Sequence, residues 1–76
     1  MSQKLPALKP KEVLPALRKA GFLIARITGS HYILKHPQQP ALRVTIPMHN
    51  KDLKRGTLRS IIDQAGMTVD EFIKLI

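Results

Sequence analysis

The chain contains no cysteine, which excludes a disulfide framework and a thiolate zinc site. Aromatic residues make up only 4%, namely Phe22, Tyr32 and Phe72. That is too few for the base-stacking platform of RNA-recognition-motif or OB-fold proteins. Acidic residues are scarce too, with 5 Asp+Glu against 13 Lys+Arg, and no carboxylate pair suggests glycosidase or two-metal chemistry. No apolar run approaches the roughly 20 residues of a membrane-spanning helix, so no membrane association is expected. The start of the chain lacks a signal-peptide apolar region, and a cytoplasmic setting is expected. The G-x-x-x-x-G-K-[ST] nucleotide-binding loop is missing. Neither an internal repeat nor a low-complexity segment is present.

What is present is positive charge. The 76 residues carry a net charge of +8, spread over Lys4, Lys9, Lys11, Arg18, Lys19, Arg26, Lys35, Arg43, Lys51, Lys54, Arg55, Arg59 and Lys74. A lysine-dense tail would be disordered, whereas charges recurring every few residues decorate a folded surface. Surface lysines can serve solubility alone, but +8 on so short a chain points to a polyanionic partner. At 43% hydrophobic residues, one small domain with a thin core is expected.

Residues 1–8 carry Pro6 and precede any periodicity, so a flexible N-terminal arm is expected there, with a single domain over 9–76. Pro10 suits the first turn of a helix, in which Val13, Leu14, Leu17 and Ala20 follow helical spacing up to Gly21. Pro15 inside that pattern implies a bend, or a helix that begins near Leu14. Phe22 to Thr28 and His31 to His36 read as strands joined by a short Thr28-Gly29-Ser30 turn, and Pro37 to Pro40 reads as a second turn. Leu42 to Pro47 alternates apolar Leu42, Val44 and Ile46 with Arg43 and Thr45, as a strand with one wet face does. A helix through Leu58, Ile61, Ile62 and Ala65 follows, with Thr57 as a possible cap. Thr68-Val69-Asp70-Glu71 matches a capping box that opens a short C-terminal helix. The result is a two-layer α+β fold of order α-β-β-β-α, with a three-stranded antiparallel sheet and one open face. Ile33 and Leu34 are adjacent and both apolar, so periodicity leaves the face of His31 open.

Histidine is the residue type best suited to proton transfer near neutral pH. His31 follows Gly29 and Ser30 at a strand start, within a basic chain. RNA carries its own nucleophile, the ribose 2′-hydroxyl, so cutting it requires proton transfer and charge stabilisation on the phosphate. An imidazole with an ordinary pKa of about 6.5 suits the proton role. Backbone amides around Gly29 and nearby cations suit the other. Arg26, Lys35, Arg43 and Lys54 are the basic side chains expected to contact phosphate. A histidine in this position is more often an ordinary surface residue, and only the basic background raises its standing. His36 and His49 read as structural or incidental. The spacing of the three histidines fits no metal-ligand signature, so neither metal nor cofactor is expected. The basic run Lys51 to Thr57 leads into a helix N-terminus, a setting that holds phosphate well but equally suits an ordinary loop.

The run Arg26-Ile27-Thr28-Gly29-Ser30-His31-Tyr32-Ile33-Leu34-Lys35-His36-Pro37 resembles the signature of HicA-type mRNA interferase toxins of bacterial toxin–antitoxin pairs. So do Val44-Thr45-Ile46-Pro47-Met48-His49, Lys51-Asp52-Leu53 and Gly56-Thr57-Leu58-Arg59-Ser60-Ile61. The start, Lys9-Pro10-Lys11-Glu12-Val13-Leu14 to Ala20-Gly21-Phe22, is similar to the family's first helix and strand. The resemblance implies a fold like the double-stranded-RNA-binding domain. It also implies a metal-independent endoribonuclease that cleaves mRNA, and a HicB-type antitoxin as protein partner. The family's catalytic histidine follows Gly-Ser, which here makes it His31. Many members carry a second histidine next to it, where this chain has Tyr32. Two other readings stay open: a non-catalytic RNA-binding module of the same shape, and a protein that only binds an acidic partner.

Overall fold

A computed structural model describes residues 5–76. Its first helix, α1, spans Pro10–Lys19. Pro10 occupies the first turn, where its missing N–H is no loss. The Lys9 amide donates to Glu12 Oε1 at 2.9 Å, which closes the N-terminus. Pro15 lies inside the helix without ending it. It removes one backbone bond on the exposed side, while Val13, Ala16 and Leu17 are buried opposite. The helix therefore starts at Pro10 and not near Leu14.

Three strands follow: β1 (Leu23–Thr28), β2 (His31–His36) and β3 (Gln39–Pro47). They form an antiparallel meander in the order β1-β2-β3. Gly29 has φ +56°, and no non-glycine residue has positive φ among those described. A glycine in that conformation at the first central position of a two-residue loop is the type II′ hairpin signature. The second turn is shorter than the sequence suggests. It occupies Pro37 and Gln38, and β3 begins at Gln39 with a register irregularity near His36.

Helix α2 runs from Arg55 to Gln64 with Lys54 at its N-cap. The cap expected at Thr57 is thus corrected: Thr57 lies within the first turn. The capping box at Thr68 is present. The Glu71 amide donates to Thr68 Oγ1 at 3.1 Å and the Thr68 amide to Glu71 Oε1 at 2.8 Å, opening α3 (Val69–Ile73).

The core lies between the helices and one sheet face. Leu17, Phe22, Leu34, Val44, Ile46, Leu58, Ile61, Ile62 and Phe72 are essentially fully buried there. Among the described residues no polar or charged side chain is buried. Of the expected arm, residues 1–4 lie outside the described residues. Leu8 is buried, and its carbonyl accepts from the Leu53 amide at 2.8 Å. The architecture is α+β in the order α-β-β-β-α, with α3 appended.

Candidate active site

Strand pairing settles the face that periodicity left open. Leu34 is fully buried against Val44 and Ile24, so Tyr32, Leu34 and His36 point to the helices. His31, Ile33 and Lys35 therefore point to the open face. The pairing lays that face out in three rows: Thr28–His31–Pro47, Arg26–Ile33–Thr45 and Leu23–Lys35–Arg43. His31 is exposed.

The hairpin tip that carries His31 is pinned. The Ser30 carbonyl accepts from the Met48 amide at 2.6 Å, so Gly29-Ser30 is tied to the segment leaving β3. A Cβ built on Gly29 meets nothing within 4 Å. The glycine is needed for its backbone angle and not for space.

No acidic residue occurs between Leu23 and Pro47, so no carboxylate from the sheet offsets its cations. Arg26 stands one row from His31. Lys35 and Arg43 lie directly opposite each other two rows away. Four residues at roughly 3.3 Å each put Lys35 about 13 Å from His31. Like charges directly opposite destabilise a sheet, and an anion across them removes that penalty. Lys54 is not on the sheet. It lines a cleft of about 340 Å³ with Pro47, His49, Lys51, Asp52 and Thr57. Pro47 is the strand partner of His31, so this cleft borders the histidine's row. Of the residues expected at the site, Gly29, Ser30, Arg26 and His31 are thus brought together. Lys35 and Arg43 form a second cationic spot on the same face, and Lys54 belongs to the cleft beyond Pro47.

The start of α2 borders that cleft and has no acidic residue in its first turn. Lys54 and Arg55 sit where the helix dipole favours negative charge, an arrangement that suits a bound phosphate.

His49 deserves more weight than its loop position suggested. Its Nδ1 accepts from the Lys51 amide at 3.2 Å, which assigns the remaining ring proton to Nε2. The ring is exposed at the cleft, two residues past the partner of His31. It offers an N–H to an oxyanion. Its position depends on the irregular β2–β3 register, which the sequence does not display.

His36 has the opposite character. Its Nδ1 accepts from the Gln38 amide at 3.2 Å, so its Nε2 donates to the Ala20 carbonyl at 3.1 Å. The ring meets Phe22 edge-on, with centroids 5.2 Å apart. Gly21 makes room for it, since a Cβ there would lie 2.6 Å from His36 Nε2. Both ring nitrogens are engaged, and the residue is structural.

Among the described residues no group of three or more His, Cys, Asp or Glu side chains could hold a metal ion. A family model for the HicA toxin of bacterial toxin–antitoxin systems matches residues 10–67. The chain belongs to the HicA toxin family. The matched region runs from the first residue of α1 past the end of α2, and so contains the whole sheet and both flanking helices. A search of curated proteins gave no significant match. As a HicA-family toxin, the chain has an antitoxin as its counterpart.

Proposed function

We propose that this toxin is a metal-independent endoribonuclease that cleaves mRNA, with His31 as its general acid/base. One observation carries the proposal: His31 is an exposed histidine on a sheet face whose charged residues are all cationic. Phosphates of an RNA strand are attracted to Arg26, Lys35 and Arg43, and the chain passes the hairpin tip. His31 removes the proton of a ribose 2′-hydroxyl. The 2′-oxygen attacks the adjacent phosphorus, and the bond to the leaving 5′-oxygen breaks. The imidazole returns its proton to that oxygen, leaving a 2′,3′-cyclic phosphate and a 5′-hydroxyl. Arg26 and the amides near Gly29 stabilise charge on the phosphate, and the His49 Nε2–H adds a neutral donor from the cleft side. The setting is cytoplasmic, and a HicB-type antitoxin holds the activity in check.

Incubation of the purified chain with a long RNA, with and without chelator, tests this. Scission with cyclic-phosphate ends in both conditions is expected. Salt-sensitive binding without scission would make the chain a non-catalytic RNA-binding module. No RNA affinity at physiological salt would reduce its role to binding an acidic partner.

A further inference from the structure

The first strand is the least covered element of the fold. All six residues of β1 are exposed. Among the described residues it pairs with β2 alone, so its other edge is open. Ile24 and Ile27 lie opposite Leu34 and Tyr32 and point to the helix side, yet they are 36% and 54% exposed while Leu34 is 0%. The helices pack chiefly under β3 and leave β1 exposed. Apolar side chains on an open strand edge are a template for strand addition. The backbone is ready for it. In a two-residue hairpin the flanking pair, Thr28 and His31, exchanges hydrogen bonds. The next pair, Ile27 and Tyr32, does not, so the Ile27 N–H and C=O turn to the open edge.

We propose that this edge is where the antitoxin docks, by adding an extended segment of alternating apolar and acidic residues to β1. The inference rests on membership of the toxin family and its antitoxin counterpart, and not on the nuclease chemistry. The two sides of β1 dictate the alternation. Apolar residues of the incoming strand cover Ile24 and Ile27 on the helix side. Its carboxylates face Arg26 on the other side, and a chain of net charge +8 favours an acidic partner throughout. Nucleic acid does not fit the helix-side strip, because Ile24 and Ile27 offer it no cation. A second copy of this chain fits poorly, since it would bring another +8 and another Arg26 to the same edge. The docked strand makes a four-stranded sheet and sets carboxylates one row from His31. Strand addition and neutralisation of the open face then occur together.

The test uses the cognate antitoxin, co-expressed and purified with this chain. Two variants are compared with wild type: Ile27→Pro, which removes an outward N–H without touching the β1–β2 ladder, and the double variant Ile24→Asn with Ile27→Asn, which removes the apolar strip without adding charge. Both are expected to weaken antitoxin binding at least 100-fold in calorimetry, with RNA binding unchanged. In wild type, the Ile27 amide is expected to exchange at least tenfold more slowly once antitoxin is bound, a readout that needs no variant to fold. Unchanged affinity in folded variants, or an Ile27 amide that exchanges equally fast with antitoxin present, overturns the proposal. A wild-type dimer that either variant dissociates assigns the edge to a second copy, and a loss of RNA affinity assigns it to nucleic acid. Either also overturns it. Failure of RNA scission leaves these outcomes untouched.

Discussion

His31 and His36 stand on one strand, five residues apart, and the sheet gives them opposite surroundings. An odd separation on a period-two element sends the two rings to opposite faces. His31 faces solvent at the pinned hairpin tip, one row from Arg26. His36 meets Phe22, the Ala20 carbonyl and the Gln38 amide, beside a cleft of about 330 Å³ whose walls contain no lysine or arginine. The same side chain is a reagent in one setting and a brace in the other. The difference lies in what the facing layer supplies: helices and an aromatic ring on one side, cations and solvent on the other.

The largest expected effect breaks the open face. His31→Ala should keep the fold, because an exposed ring contributes little packing, and should lose about 10²- to 10⁴-fold in RNA cleavage. Matched circular-dichroism melts with a cleavage time course check it. The covered face should respond in the other currency. His36→Ala removes two hydrogen bonds and an edge-on ring contact, and leaves the Ala20 carbonyl without its donor. A cost of about 2 kcal/mol, or roughly 10 °C in Tm, is expected in a thermal melt, with cleavage per folded molecule retained. His49 sharpens the comparison from the cleft side. Loss of one neutral hydrogen bond to the phosphate in His49→Ala should slow cleavage about tenfold, and His49→Gln, which keeps an N–H donor, should recover most of it.

The smallest effect lies far from either histidine. The Thr68 amide and hydroxyl hold the Glu71 carboxyl below the usual glutamate range. A depressed folded-state pKa means that Glu71 contributes stability above the ordinary glutamate value of about 4.3. That contribution fades as pH falls through the lower, folded-state value. Glu71→Gln should therefore lower Tm slightly at pH 7 and make no difference at the acid end of the titration. Thermal melts at pH 7 and about pH 3 read this directly.

Much of this contrast was legible in the residues. Pro10, the Gly29-Ser30 turn and the Thr68–Glu71 box mark element ends by local chemistry, and local chemistry survives folding. The alternation of Arg43, Val44, Thr45 and Ile46 fixed the faces of β3. The face of His31 was not legible, because Ile33 and Leu34 compete for the interior and only pairing with Val44 decides between them. The exposure of β1 was also hidden. Its apolar composition reads as a covered strand, and only the packed helices show that cover ends at β2. Thr57 has the chemistry of a cap, but α2 starts earlier, at Arg55, with Lys54 as its N-cap. The nearness of His49 to the row of His31 rests on an irregular register that no sequence pattern announces.

The most direct trial sets two chains against one RNA. In one, His36→Gln and His49→Gln leave His31 as the only histidine; in the other, His31→Ala is the only change. With both shown to be folded, the first is expected to cut within about tenfold of wild type and the second to cut about 10²- to 10⁴-fold more slowly. Scission near the wild-type rate by the chain that lacks His31, or none by the chain that keeps it, would contradict the assignment of the chemistry to the open face.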